Sequence, residues 1–122
     1  GWHVDNHPES IINFIIYLND VKYLEGGMEL LFSKEDHMPV HRKFAGKPGG
    51  IHMDDEIRRL INEEKYYSVP LLGKQGTTIL FNNNVIHRAG SSLTKDRAAI
   101  LLQFDHKNSD FGNCHTSLIK NY

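Results

Sequence analysis

Two histidines and one aspartate in this sequence have the types and spacing to bind one metal ion. His3 and Asp5 stand two residues apart in "WHVD", and His87 lies far along the chain in "NNNVIHRAGSS". On an extended segment, residues i and i+2 leave the same face, about 7 Å apart. With a second histidine they form a facial triad, which leaves three positions open on an octahedral ion. His-x-Asp pairs are common, so the prediction depends on His87.

Arg97 indicates what such a triad would hold. A dicarboxylate co-substrate needs a cation at its far end, and arginine offers a planar, permanently charged, bidentate fork. Arg97 begins the next predicted strand after His87. We expect the loop between two adjacent antiparallel strands to return it to the neighbourhood of His87. Without the triad, Arg97 would be interpreted as a strand-end residue in a surface ion pair.

A frame of short strands must position these residues. Apolar and β-branched runs predict strands over 10–21, 28–32, 68–72, 77–81 and 97–105. The first run is apolar enough to predict burial on both faces, and a turn at Gly26 and Gly27 suggests a hairpin with the second. Acidic residues followed by apolar spacings of three and four predict one helix over 53–67. Pro70 suggests that its strand lies at a sheet edge.

The composition bounds the class of protein. The chain has 122 residues, of which 39% are hydrophobic and 24% charged, with a net charge of −1. This fits a single soluble domain over 1–122 without a basic surface for nucleic acid, and no apolar run is long enough to cross a membrane. Cys114 is the only cysteine, which excludes an intrachain disulfide and fits a reducing compartment such as the cytoplasm. Short strands with one helix predict a mainly β fold, an antiparallel sandwich or open barrel.

Three motifs in order carry a resemblance to a known family. "WHVD", "YLNDV…EGGM" and "VIHRAGSS…DRAAILLQF" resemble the Fe(II)- and 2-oxoglutarate-dependent dioxygenases, and are most similar to the phytanoyl-CoA dioxygenase-like branch. The resemblance runs from His3 to about Phe104, with 33–67 as a variable insertion that contains the helix. It implies a double-stranded β-helix, or jelly roll, that forms a catalytic core. The family's helices and first strand ahead of the His-x-Asp motif are missing here, so we expect this chain to be a fragment.

The resemblance also assigns roles to residues. It implies that His3, Asp5 and His87 bind Fe(II), and that Arg97 pairs with the distal carboxylate of 2-oxoglutarate. Weaker candidates for co-substrate binding are two hydroxyl residues near the arginine and two polar residues on the first long strand: Ser91, Thr94, Asn13 and Tyr17. The last two could equally be ordinary core or surface residues.

The implied reaction is hydroxylation of an organic substrate by O2, with release of succinate and CO2. We expect a small-molecule substrate and no nucleic-acid or membrane partner, and the oligomeric state stays open. Asp5 argues against a halogenase, which lacks this carboxylate. Lys95 leaves open a prolyl-hydroxylase-like branch, in which lysine replaces the arginine. The alternatives are a cupin-type zinc or manganese hydrolase or isomerase, and an inactive binding module of the same fold.

Overall fold

A computed structural model describes residues 1–5, 11–41 and 54–105. In chain order the elements are β1 (Ile12–Tyr17), β2 (Met28–Ser33), α1 (Asp54–Asn62), β3 (Tyr66–Pro70), β4 (Thr78–Asn82), β5 (His87–Ala89) and β6 (Ala99–Phe104). The predicted mainly β fold with one short helix is confirmed. Cys114 and the start of the predicted first strand lie outside the described residues.

The strands form two antiparallel sheets. Sheet I has the order β4-β1-β6, and sheet II has the order β3-β2-β5. The segment that carries His3 extends sheet II, because His3 forms an antiparallel bridge with His87 of β5. Two facing antiparallel sheets with this mixed strand order are consistent with part of a jelly roll.

The predicted hairpin between β1 and β2 is wrong, because the two strands belong to different sheets. Both edges of β1 are occupied, by β4 and by β6, and residues 18–27 cross to sheet II. This crossing is fixed to the turn before β4. Val21 bridges Gly73, and Asp20 accepts hydrogen bonds from the Lys74 side chain and the Gln75 backbone.

The expected pairing of the strand that follows Arg97 with the strand of His87 is also wrong, because these two strands belong to different sheets. β6, which follows Arg97, pairs with β1 and not with the strand of His87. Any proximity between Arg97 and His87 must therefore arise from the packing of one sheet on the other.

Two apolar cores lie on the two faces of sheet II. Alternation along β2 separates them, since Leu30 joins the core between the sheets and Leu31 joins the core beneath α1. Tyr17 and Phe81 come to the first core from sheet I, and Ile57 comes to the second from α1. The domain therefore has three layers: sheet I, sheet II and the helix.

The helix is shorter than predicted, and its C-terminus explains why. Glu64 has a φ of 59°. The backbone N–H of Glu64 donates to Ile61, and that of Lys65 donates to Leu60. This is a Schellman arrangement with glutamate at the position that glycine usually takes. The predicted helix therefore ends early, and Tyr66 already belongs to β3, which lies at an edge of sheet II as Pro70 predicted.

The face of sheet I that points away from sheet II is apolar and exposed. Ile12, Leu80 and Phe104 on this face are 42%, 60% and 54% exposed. The predicted burial of the first strand therefore holds fully for only one of its faces within the described residues. In the part of the chain that the structure describes, no helix is long and apolar enough to span a bilayer.

Candidate metal centre

The first five residues form an extended segment whose two faces have different surroundings. Trp2 and Val4 are buried in the core beneath α1. His3 and Asp5, the alternate residues, point to the opposite side. His3 and His87 exchange both backbone N–H···O bonds, each at 2.9 Å, so that their side chains lie next to each other with ring centroids 4.4 Å apart. Residues from opposite ends of the described chain thus become direct neighbours.

The three predicted ligands converge on one point. Asp5 Oδ1 lies 3.8 Å from His3 Nε2 and 3.5 Å from His87 Nε2, and one ligand atom of each residue lies within 4.8 Å of the others. An ion about 2.1 Å from two ligands at a right angle brings those ligands to about 3.0 Å. The two separations between Asp5 and the histidines would therefore shorten by about 0.5–0.8 Å around an ion. Among the described residues it is the one cluster of three or more metal-binding side chains.

Backbone carbonyl groups fix both imidazole rings. His3 Nδ1 lies 2.9 Å from the carbonyl oxygen of Gly1, and His87 Nδ1 lies 2.8 Å from that of Val85. A carbonyl oxygen only accepts, so each Nδ1 carries the proton in the neutral ring. Each Nε2 then presents its lone pair toward Asp5. This is the tautomer that a metal ion bound at Nε2 requires.

The environment of His87 favours its protonated form when no ion is bound. Burial alone lowers the pKa of His87, but the Asp5 carboxylate and the Val85 carbonyl outweigh it and raise the pKa above 6.5. The His87 ring also contacts Phe81 at 5.3 Å between centroids. A proton on Nε2 therefore competes with a metal ion for the same lone pair.

A polar cluster on the far side of sheet II holds the ligand segment in place. The Arg88 guanidinium lies 4.5 Å above the Trp2 ring and donates to Glu29 Oε2 at 2.7 and 2.9 Å. The backbone N–H of Trp2 donates to Asp54 at the start of α1, at 2.7 Å. Trp2 precedes His3, and Arg88 follows His87. The two candidate ligands are thus flanked by residues that contact each other.

The glycine of "HRAG" is required by a close backbone contact. Gly90 donates its N–H to the Gly27 carbonyl oxygen at 3.0 Å, and a Cβ on Gly90 would lie 2.0 Å from that oxygen. Such a distance is far inside van der Waals contact, so no other residue fits without moving one strand. The backbones of Gly27 and Gly90 are therefore in direct contact beside β5.

The Asp5 carboxylate also contacts sheet I. Asn13 of β1 is 1% exposed, and its Nδ2 lies 3.5 Å from Asp5 Oδ2. The same nitrogen donates to Asn83 Oδ1. The side-chain oxygen of Asn13, Oδ1, accepts a hydrogen bond from Gln103 Nε2 at 2.9 Å. The Asp5 carboxylate is thereby connected to three elements: β1, the turn after β4, and β6.

Arg97 and Tyr17 form a second polar group against the core between the sheets. The Arg97 side chain hydrogen-bonds to the Tyr17 hydroxyl, which donates to the Leu71 carbonyl oxygen at 2.6 Å. Burial raises the pKa of Tyr17, and the Arg97 guanidinium offsets part of that rise, so the hydroxyl keeps its proton at neutral pH. Arg97 Nη1 is buried and has no hydrogen-bond partner among the described residues. A buried guanidinium nitrogen without a partner fits an anionic ligand.

A comparison with protein families agrees with this geometry. A family model described as phytanoyl-CoA dioxygenase (PhyH) matches residues 1–99. The chain belongs to this family. The PhyH family lies within the Fe(II)/2-oxoglutarate dioxygenase superfamily, and the matched range includes the His3-Asp5-His87 cluster and Arg97. Neither a curated protein nor a solved structure matches this PhyH chain.

The remaining predicted co-substrate residues have hydroxyl side chains and are found in the loop before β6 and on β1. Ser91 and Thr94 are exposed in the loop between β5 and β6, where the Ser91 carbonyl oxygen accepts the N–H of Gly26. Their roles stay predictions. So does the contact of Tyr17 with a co-substrate, although its hydroxyl proton is directed to Leu71.

The predicted site residues did not include two residues that are connected to the His3-Asp5-His87 cluster through Asn13. Asn83 is fully buried and Gln103 faces Asn13 directly across β1 and β6. A signal existed, because Asn13 and Gln103 each interrupt an otherwise apolar strand. Recognising it requires the register between β1 and β6, which the sequence does not state.

Proposed function

We propose that the chain is an oxygenase that uses Fe(II) and 2-oxoglutarate to hydroxylate an organic substrate, with release of succinate and CO2. The observation that carries this proposal is the convergence of His3, Asp5 and His87 on one point with both imidazole rings held in the metal-binding tautomer. Membership of the PhyH family supports the same class of chemistry.

The donor set fits iron of the non-haem oxygenase type. Two neutral imidazoles and one carboxylate form the facial triad, which leaves three coordination positions for small ligands. Asp5 supplies one negative charge, so a divalent ion keeps a net positive charge that attracts an anionic co-substrate. Fe(II) and 2-oxoglutarate, when bound, supply the oxidising chemistry: O2 is reduced, 2-oxoglutarate loses CO2 to become succinate, and one oxygen atom enters a substrate C–H bond.

Arg97 favours this class over a cupin-type hydrolase or isomerase. A hydrolase has no need for a cation held at a partly buried position, whereas 2-oxoglutarate carries a second carboxylate that requires one. The unpartnered Nη1 of Arg97 and the neighbouring Tyr17 hydroxyl oxygen provide polar atoms at the edge of an apolar core. In this proposal Tyr17 holds the guanidinium plane and Arg97 pairs with the distal carboxylate.

The chain's own residues would orient the reactants and limit access of water. Phe81 packs its ring against His87 and belongs to the core that also contains Tyr17. Apolar walls of this kind strengthen the Arg97–carboxylate attraction, because fewer water molecules screen it. They also protect reactive groups from unwanted reactions.

The test is an anaerobic titration of the purified chain with Fe(II) and then 2-oxoglutarate. We expect the weak visible charge-transfer band of an Fe(II)–2-oxoglutarate chelate, together with substoichiometric succinate release once O2 is admitted. The control is His87→Ala, whose folded state is verified by circular dichroism and which must lack the band. A folded wild-type chain without the band would contradict the proposal.

A further inference from the structure

The two oxygens of the Asp5 carboxylate face different groups. Oδ1 faces the Nε2 atoms of His3 and His87, at 3.8 and 3.5 Å. Oδ2 faces the side-chain nitrogen of Asn13, at 3.5 Å. One oxygen is therefore directed to the candidate metal position, and the other is directed to a buried amide.

The orientation of the Asn13 amide is determined by its neighbours. Its nitrogen has two hydrogens, and they are directed to Asp5 and to Asn83 Oδ1. Its oxygen accepts from Gln103 Nε2 at 2.9 Å. The opposite rotamer of the amide would put the Asn13 oxygen against the Asp5 carboxylate, which has no hydrogen to donate. Both donor hydrogens are thus already used within the protein.

We propose that Asn13 is a positioning residue for the metal ligand Asp5, acting as part of an amide chain with Asn83 and Gln103. This inference rests on the proposed metal centre and replaces the predicted contact of Asn13 with the co-substrate. A hydrogen bond to Oδ2 stops the carboxylate from rotating and presents Oδ1 alone to the ion. Monodentate ligation keeps three positions open, whereas bidentate ligation would occupy one of them.

Binding of Co(II) to the wild type and to Asn13→Ala tests the proposal without any turnover. Co(II) is the probe because its visible spectrum reports coordination geometry. We expect Asn13→Ala to weaken Co(II) binding by about 10- to 100-fold, the range found when outer-shell partners are removed. We also expect a changed Co(II) spectrum, because the freed carboxylate adopts a different mode of ligation.

A double-mutant cycle separates positioning from a general structural effect. In the Asp5→Ala background, Asn13→Ala should change Co(II) affinity by less than about threefold, since its partner is already gone. An equal loss of affinity in both backgrounds would show that Asn13 acts through the fold and would overturn the inference.

Gln103→Ala provides a milder variant in case Asn13→Ala fails to fold. Gln103 is exposed and donates its side-chain N–H to Asn13, which in turn faces Asp5. We expect about a two- to fivefold loss of Co(II) affinity from Gln103→Ala. Gln75→Ala, the same substitution in an exposed turn, should leave Co(II) affinity unchanged. Equal behaviour of these two variants would count against the amide chain.

Binding of 2-oxoglutarate to the Co(II)-saturated protein distinguishes the two roles of Asn13. If Asn13 positions Asp5, Asn13→Ala should change the 2-oxoglutarate affinity by less than about threefold. If Asn13 contacts the co-substrate directly, the 2-oxoglutarate affinity should fall by the larger factor that the loss of one hydrogen bond causes. Loss of 2-oxoglutarate binding with Co(II) affinity retained overturns the inference and leaves the proposed function intact. A folded wild type that binds no Co(II) contradicts both.

Discussion

The two histidines of the candidate metal centre have different surroundings. The His87 side chain is 7% exposed and contacts Phe81 and Asp5, whereas the His3 side chain is 36% exposed. The raised pKa of His87 results from the Asp5 carboxylate and the Val85 carbonyl, which together outweigh the opposing effect of burial. A proton and a bound metal ion would therefore compete for the Nε2 atom of His87.

This competition predicts opposite pH dependences for stability and for metal binding. A ring whose pKa is raised by folding stabilises the metal-free fold below pH 6.5, and that contribution is lost as pH rises through the folded-state pKa. Metal binding requires the neutral ring, so Co(II) affinity should fall as pH decreases through the same range, by up to about tenfold per pH unit. Urea unfolding and Co(II) titration at pH 6, 7 and 8 measure both quantities. Parallel trends in the two measurements would contradict the assignment.

Arg97 and Lys95 make different predictions about the co-substrate. Arg97 is partly buried beside Tyr17, whereas Lys95 is exposed in the preceding loop. Arg97→Ala should weaken 2-oxoglutarate binding to the metal-loaded protein by roughly 10- to 100-fold, since charged hydrogen bonds contribute about 1.5–3 kcal/mol. Its metal affinity should stay unchanged. Lys95→Ala is the control, and isothermal titration is the measurement. If Lys95→Ala lowers the 2-oxoglutarate affinity more than Arg97→Ala does, the prolyl-hydroxylase-like arrangement, in which lysine binds the co-substrate, would be favoured instead.

Single residues could be predicted from the sequence where their chemistry and alternation were sufficient. His3 and Asp5 share a face because Trp2 and Val4 occupy the other one. Asn83 and Gln103 could not be found in this way. Their importance arises from contacts with Asn13 across other strands, and no local pattern encodes a partner so distant along the chain.

At the level of elements, strand positions were easier to predict than strand partners. The apolar runs gave β2 and β4 to within one or two residues. The pairing of β1 with β4 and β6, however, depends on which sheet buries each face, and residues 11–18 are apolar at every position except Asn13. The end of α1 was missed because Glu64 takes a backbone conformation that usually indicates glycine.

β4 offers a direct comparison of the two faces of sheet I. Leu80 is 60% exposed on the outer face, and the next residue, Phe81, is 8% exposed in the core between the sheets. We expect Phe81→Ala to lower the free energy of unfolding by about 3–5 kcal/mol. Leu80→Ala should change it by less than about 0.5 kcal/mol. Urea denaturation of both variants measures the difference. A similar cost for the two substitutions would show that the outer face is also covered.

The candidate metal centre joins the two sheets of the domain. Asp5 contacts sheet I through Asn13, while His3 and His87 belong to the extended edge of sheet II. A bound ion should therefore stabilise the fold as a unit, by about 2.7 kcal/mol at a metal concentration 100 times the Kd. Thermal unfolding with and without Co(II) measures this effect. His87→Ala is the control and should show no added stability from Co(II).

The position of Trp2 has an optical consequence. It is the chain's one tryptophan, it is 1% exposed, and it directly precedes the candidate ligand His3. Its ring packs beneath the guanidinium of Arg88, the residue that follows the candidate ligand His87. If the first five residues detached from β5, the indole would pass from an apolar core to water, and its fluorescence would shift to longer wavelength. The chain thus carries its own intrinsic reporter of whether the two halves of the candidate metal centre are joined.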